Sequence, residues 1–377
     1  MELRAKRWLA FSGLLVSTVI FLPVSNVQAA DKAVGSDGVA DLEERVAELE
    51  ATVARKGNRK VSLVVSGQIN KAVVWVDGEG SQVQDNSASE SYISLSGEAK
   101  VRADFKVGYV LQVGVGEYES FGDDSNGIYV RQSYLYLDTR LGKFSLGQQS
   151  LATDSITELT TANTAVAVRP LSFRPLTGTD DRADIFDGYR VNAVRYDTPD
   201  LRGFVASAAW AQDGDVWDIA VRHASEVGQF KIAAGLGFRN ETVEFSTKDS
   251  KTYSGSASVL HIPTGVFLTG VAAKVEDGYY DLGFGSASVS SAKAWQLHGG
   301  VEERWTDLGK TTIYAEYGDV KFDGADDSLK IYGLGVVQAV DAAALDVYLA
   351  WRRYEADGLI EDASHLDTVI GGARIRF

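Results

Sequence analysis

The last residues of the chain, 369–377, alternate between apolar and basic side chains. Apolar or small residues occupy the odd positions up to the terminal Phe377, whereas Arg374 and Arg376 occupy even positions. Because successive side chains of a strand point to opposite faces, this segment predicts a strand with one apolar face and one basic face. Such a strand suits a closed β-barrel that has lipid outside and water inside.

The N-terminal segment predicts export from the cytoplasm. Three basic residues within positions 4–7 precede an apolar run over 8–22, and small side chains follow at Val27 and Ala29. This pattern is typical of a Sec signal peptide, here 1–29. The alternative is a retained membrane anchor, which the short length of the apolar run disfavours.

The remaining composition favours an all-β membrane protein. No later segment has the roughly 18 consecutive apolar residues of a spanning helix, whereas short alternating stretches recur along the chain. Cysteine is absent, which excludes a disulfide scaffold and a thiolate metal site. The formal net charge of −15 argues against nucleic acid as a partner.

A short heptad pattern lies within 30–60, before the first strand. Its apolar residues follow a 3-4 spacing: Val39, Leu42, Val46, Leu49 and Val53. A coiled coil this short is stable only when a larger assembly holds several copies together, which predicts a homotrimer. The alternative is a single amphipathic helix on a surface. The basic linker 55–60 could contact anionic lipid or cell-wall polymer.

Short connections divide 61–377 into strands, the first of which spans 61–76. The connections lie at Asp104–Lys106, Leu141–Lys143, Pro199–Gly203, Val227–Gln229, Pro263–Gly265, Asp307–Lys310 and Val340–Ala342. About seven turns on one rim, with a rising first strand and a descending last strand, predict a 16-stranded antiparallel barrel with eight longer loops opposite. A barrel of this width encloses an aqueous lumen.

The longest interval without alternation runs from Gln149 to Asp187 and is the third of the eight loops. Such a long loop is uncommon in a compact domain unless it is functional. Folded into the lumen, its carboxylates would face basic residues of the wall and set up a transverse field in a constriction. The acidic candidates are Asp154, Glu158, Asp180, Asp181 and Asp184, followed by Asp187. The basic wall candidates are Lys100, Arg102, Arg131, Arg190, Arg374 and Arg376, and strand-end or trimer-contact roles are their alternatives.

Two features resemble known families. The terminal strand resembles that of bacterial outer-membrane barrels, in which the final aromatic residue, here Phe377, belongs to a signal read by the barrel assembly machinery. The order of signal, coiled coil, basic linker and first strand resembles the general porins of alphaproteobacteria, and so does 189–199 after the long loop.

The resemblance covers essentially the whole chain and implies a homotrimer in the outer membrane of a Gram-negative bacterium. Each 16-stranded barrel would be narrowed by its third loop and surrounded by lipid and lipopolysaccharide. The implied activity is passive diffusion of small hydrophilic solutes and ions. Among the wall candidates, Arg190 matches the family best and Arg131 follows it.

Three other functions are disfavoured by the residues. The four histidines form no triad or metal-binding pattern, so we expect no catalytic residue, metal or cofactor; His223 fits an outer aromatic belt, and His298 could face the lumen. Envelope tethering alone would need only a smaller, filled barrel. A sugar-selective channel would show aromatic residues in the constriction, and the loop has only Phe173 and Phe186.

Overall fold

A computed structural model describes residues 60–120, 123–172, 185–211, 215–242, 248–278, 280–281, 288–289, 291–323, 328–356 and 365–377. The strands are β1 (Val64–Val76), β2 (Gly80–Asp85), β3 (Tyr92–Arg102), β4 (Phe105–Ser120), β5 (Asp123–Thr139), β6 (Gly142–Ser150), β7 (Arg190–Asp197), β8 (Phe204–Ala211), β9 (Val216–Val227), β10 (Phe230–Glu241), β11 (Ser250–His261), β12 (Val266–Glu276), β13 (Tyr280–Asp281), β14 (Ser288–Val289), β15 (Ala292–Thr306), β16 (Gly309–Phe322), β17 (Ser328–Val340), β18 (Leu345–Ala356) and β19 (His365–Arg376). Within these ranges, no helix is long and apolar enough to cross a membrane. The predicted signal, coiled coil and linker up to 59 lie outside the described residues.

The strands close into the predicted antiparallel barrel of 16 strands. β1 pairs with β19 from Gln68↔Arg376 to Val76↔Thr368, which joins the two ends of the sheet. On its other side, β1 pairs with both β2 and β3. β2 and β3 are therefore two parts of one barrel strand, interrupted by 86–91, while β13 and β14 form a separate hairpin.

The alternation predicted at both ends of the chain is confirmed. In β1, Val73 is 51% exposed on the outer face, whereas Asn70 is fully buried on the inner face. In β19, Ile375 faces outward and Arg374 faces inward, where it is buried. The outer face is thus apolar and the inner face polar, as a lipid-embedded barrel requires.

Aromatic rings form a belt near each rim of the barrel. At the loop rim, contacting rings run through Trp217, Phe238 and Tyr253 and, farther round, through Trp295, Tyr317 and Tyr332. At the short-turn rim, His223 stacks on Phe204 with 4.1 Å between ring centroids, which is the belt position expected for it. Such belts mark the two interfaces of a membrane with water.

The seven short turns lie where the sequence predicts them. The expectation of eight longer loops is only partly right, because the first connection, 77–79, is as short as the turns. Gly78 and Gly80 adopt φ values of 80° and 96° there, which glycine permits and a tight hairpin requires. The third connection, 151–189, is the longest between barrel strands and enters the lumen.

Candidate functional site

The third loop, 151–189, is fixed to the inner wall of the barrel from its first residues; its residues 173–184 lie outside the described ranges. Asp218, on the inner face of β9, accepts hydrogen bonds from the backbone N–H of Ala152 at 3.1 Å and of Thr153 at 2.6 Å. The Thr153 hydroxyl donates a further bond to the same carboxylate at 2.7 Å. A buried carboxylate with several donors fixes the direction in which the loop leaves β6.

The loop then crosses the lumen towards the opposite wall. Thr161 N–H donates to the Ser258 hydroxyl on β11 at 2.9 Å. The backbone of Asn163 donates to Glu302 on β15 at 2.9 Å, and its side chain donates to Asp346 on β18 at 3.0 Å. These acceptors come from well-separated strands, so the loop spans the interior.

Residues 86–91, between β2 and β3, also fold inward and hold the far part of the loop. The Asn86 amide donates to the carbonyls of Val166 at 3.0 Å and Ala167 at 3.2 Å. In return, the Arg169 guanidinium donates to the carbonyls of Ser87 at 2.6 Å and Ala88 at 3.1 Å. Two irregular segments therefore satisfy each other's backbone groups inside the barrel.

A buried ion pair anchors the loop next to this contact. Arg352 on β18 lies 2.6 and 2.9 Å from the carboxylate oxygens of Glu316 on β16, and both side chains are almost fully buried. The same guanidinium donates to the carbonyls of Arg169 at 2.9 Å and Ser172 at 3.2 Å. Bidentate pairing in a buried site gives this anchor a fixed geometry.

Apolar packing holds the loop on the same side of the barrel. Leu171, Ile185 and Phe186 are buried against inward-facing side chains of five strands. The wall residues in this cluster include Val271, Val275, Val320, Phe322, Leu329, Ile331 and Tyr354. Burial of such side chains stabilises a fold by about 1.5–3 kcal/mol each.

The returning end of the loop closes over its start. Asp187 accepts hydrogen bonds from the backbone of Ile156 at 3.1 Å and the hydroxyl of Thr157 at 2.9 Å. Burial raises the pKa of the Tyr189 hydroxyl well above its usual range, so this group stays protonated. It donates to Glu241 on β10 at 2.8 Å.

The third loop covers the inner wall unevenly. Inward-facing side chains of β11, β12 and β15–β18 are largely buried beneath the third loop, whereas those of β3–β10 towards the short turns are half-buried or exposed. We call this second region the open sector. Its inward-facing residues include Glu98, Lys100, Lys106, Tyr134, Tyr136, Asp138, Lys143, Arg195, Asp197 and Lys231. A polar wall surface therefore lies between the third loop and the short turns on this side of the barrel.

Two of the predicted acidic residues lie in the described part of the loop, and both are buried. Glu158 is 3.6 Å from Arg169 of the same loop. Asp154 is buried, and its charge acts on Arg190 and Arg222 of the wall. The other three, Asp180, Asp181 and Asp184, lie outside the described residues.

Arg131 and Arg190 are brought together at the wall where β6 leaves the sheet. The register shifts between Gln112 and Val113, so Arg131 is an extra residue in β5. Arg131 pairs there with Glu90, and its guanidinium lies 4.9 Å from the ring centroid of Tyr92. Arg190 is 4% exposed, and the charges acting on it include those of Arg131, Asp154 and Glu90.

The remaining basic candidates lie apart from this group. Arg374 is 2.7 Å from Asp346, and Arg376 lies 3.3 Å from the same carboxylate with its own side chain 46% exposed. Arg102, which the sequence places among the constriction candidates, lies at the end of β3 instead. The register shifts between Lys100 and Arg102, and the exposed guanidinium lies 6.0 Å from the centroid of Phe105 at the short-turn rim.

Sequence reasoning missed most residues that hold the loop. These are Asp218, Glu302, Glu316, Asp346 and Arg352, and Glu90, which pairs with the wall residue Arg131, was missed as well. A usable signal existed for several of them, because Asp218 alternates with the apolar Trp217 and Ile219. Glu90 gave no such signal, since it lies in the irregular segment 86–91. His298, expected to face the lumen, does so, and it lies 3.3 Å from Glu316.

Solved structures of bacterial outer-membrane proteins share this architecture. The chain matches an anion-selective porin from Comamonas acidovorans with a TM-score of 0.60 and 16% identity, covering 84% of this chain and 100% of that one. OmpF of Salmonella typhi in complex with daunomycin matches with a TM-score of 0.60 and 14% identity, covering 84% of this chain and 98% of that one. OmpT of Vibrio cholerae in its trimer form matches with a TM-score of 0.58 and 15% identity, covering 84% of this chain and 99% of that one. At these identities the likeness shows the fold.

Family membership follows from the sequence comparison. The model of the Gram-negative porin family matches residues 24–359, which is most of the chain. A search of curated protein sequences found no match. Proteins of this family are channels rather than enzymes. The chain is a multi-pass β-barrel channel of the outer membrane and belongs to the Gram-negative porin family.

Proposed function

We propose that the channel serves passive diffusion of small hydrophilic solutes and ions across the outer membrane. The observation that carries this proposal is the open sector, a lumen wall of half-buried polar and charged side chains between the fixed third loop and the short turns. Charges of both signs occur along this path, including the pair Glu98–Lys106 at 3.0 Å. Such a lining favours water and polar solutes.

We also propose that the functional unit is a homotrimer. Towards the loop rim, the described outward-facing residues of β2–β6 include no aromatic side chain, in contrast with the belt on the other strands. This face instead exposes aliphatic residues, including Val83 at 70% and Ile128 at 79%. A gap in the aromatic belt fits a protein contact better than a lipid contact.

The remaining assignments rest on the sequence. We propose that the protein is an alphaproteobacterial member of the family, that 1–29 is removed on export, and that 30–60 lies in the periplasm and contacts the cell wall. Phe377 is proposed as the assembly signal, and lipid with lipopolysaccharide as the surroundings of the barrel.

Liposome swelling tests the proposed function. Mature protein is refolded into liposomes, which are diluted into isotonic solutions of sugars of increasing size. We expect swelling that is faster than in empty liposomes and that slows steadily as solute size increases. Swelling no faster than in empty liposomes, from protein shown to be folded, would contradict the proposal.

A further inference from the structure

Two tyrosines on β5 expose their rings within the open sector. Tyr134 and Tyr136 both face inward and are half-buried, and their ring centroids lie 6.4 Å apart. Tyr136 covers Gly108 on β4, where a Cβ atom on the glycine would come within 2.1 Å of the ring. The glycine therefore lets the ring lie close to the wall, where it leaves the path open.

Charged side chains of both signs surround these two rings. The Lys143 ammonium lies 5.6 Å from the centroid of Tyr134 and 4.5 Å from that of Tyr136. The neighbouring ionisable groups are Glu98 with Lys106, Asp197 with Arg195, and Asp138 opposite Lys143 in the strand register. With Lys100, which the register places opposite Lys106, three acidic and four basic side chains thus surround the tyrosines.

We propose that Tyr134, Tyr136 and Lys143 form a carbohydrate subsite in the pore, which we call the tyrosine patch. The apolar C–H face of a pyranose ring packs on an aromatic ring, and the surrounding charged groups donate and accept hydrogen bonds with its hydroxyls. Because charges of both signs flank the rings in nearly equal number, the patch favours a neutral polyhydroxylated solute over an anion or a cation. This inference rests on the proposed diffusion function and names the class of solute that interacts with the wall.

The position of the patch explains why the loop sequence does not reveal it. A sugar path lined by the third loop would need exposed aromatic residues there; in the described part of the loop, which does not include Phe173, Phe186 is buried in the apolar cluster that fixes the loop. The exposed rings come instead from the wall strand that faces the loop-free part of the lumen.

Titration of ion current with maltotriose tests the proposal. The trimer is inserted into a planar bilayer, and conductance is recorded as maltotriose is added. We expect a saturable fall in conductance, whereas a polyethylene glycol of equal size, which has no ring, should give a fall that is linear with concentration. Normal current without saturable maltotriose block would overturn the subsite alone. An absence of any current would overturn the diffusion function as well.

Variants assign the effect to the rings. Tyr136→Leu, and the double change with Tyr134→Leu, should weaken maltotriose binding about fivefold to tenfold, because the stacking surface is lost. Tyr136→Phe keeps that surface and should stay within about twofold of the unchanged protein. Tyr196→Leu, on the outer face of β7, is the matched control and should leave binding unaltered. Equal block in all four variants would contradict the assignment to the tyrosine patch.

Discussion

Arg352 and Glu316 carry the most concentrated attachment of the third loop to the wall. Replacing Arg352 by Met leaves the Glu316 carboxylate buried without its partner, which costs about 3–5 kcal/mol. We therefore expect Arg352→Met to lower the unfolding midpoint and to increase current noise in the open channel. The measurements are tryptophan fluorescence during urea unfolding and single-channel recording.

A second change separates charge burial from lost packing. Adding Glu316→Gln to Arg352→Met removes the unpaired charge and should recover part of the stability. Arg304→Met, which breaks an exposed pair with Asp341, is the matched control and should cost much less. If Arg304→Met were as destabilising as Arg352→Met, the buried pair would not be a main anchor of the loop.

We propose that Glu158 contributes to the charge that the loop presents to the pore. Its partner Arg169 lies 3.6 Å away, so Glu158→Gln removes the negative charge of this buried pair and makes the loop more positive. We expect the reversal potential in a KCl gradient to shift towards lower cation preference. Asp307→Asn, in the exposed β15–β16 turn, serves as the control, and an equal shift for both changes would contradict a specific role for Glu158.

Individual residues were predictable where alternation holds and unpredictable where it breaks. Arg374 follows the parity of the last strand and faces inward as predicted. Arg131 has the parity of the outward-facing Leu135, and only the extra residue in β5 turns it to the lumen. Arg102 has the parity of the inward-facing Lys100, and the register shift between these two residues turns its side chain away from the lumen. A register shift of one residue reverses the face of every later side chain, and no local pattern announces it.

Among the structural elements, the third loop acts as a strap that is attached to the inner wall near Ala152 and, at its far end, near Val166. Asp218→Ala removes the acceptor for two backbone N–H groups at the start of the strap, and each buried unpaired donor costs about 1–3 kcal/mol. We expect fluctuating subconductance states and faster proteolysis of 151–172 in the folded barrel. Asp138→Ala, which removes an acidic side chain from the inner wall away from the loop, should leave both measurements unchanged.

The far end of the strap gives an independent prediction. Asn86→Ala removes bonds to Val166, Ala167 and the hydroxyl of Tyr348, which lies 2.8 Å away. Cleavage should then concentrate near 166 rather than near 152. Identical cleavage patterns for Asn86→Ala and Asp218→Ala would contradict two separate attachments.

The elements of the barrel were largely predictable from short turns and alternating strands. The exception is the second barrel strand, which the sequence presents as a polar loop between Val76 and Ile93. In the structure the first hairpin already turns at 77–79, so β2 begins at Gly80 and only 86–91 leave the sheet. This break depends on partners distant in sequence, Arg131, Arg169 and Arg374, which bind the segment inside the barrel. Local sequence cannot specify such contacts.

For the whole molecule, the proposed coiled coil and the barrel have separable roles. Deleting 41–53 should weaken the trimer, because the heptad contacts are lost, while each barrel keeps its own lumen. We expect the deletion to lower the temperature at which trimers dissociate on native gels and to leave the conductance of each pore unchanged. Loss of conductance per pore would contradict this separation.

We expect each barrel to hold a water-filled path beside its fixed loop. Single-channel recording of the purified mature protein in a planar bilayer, under a salt gradient, measures this path. We expect stable conductance that arrives in three equal steps per insertion, with a reversal potential set by the charges of the constriction. A silent bilayer, from protein shown to be a folded barrel, would contradict it.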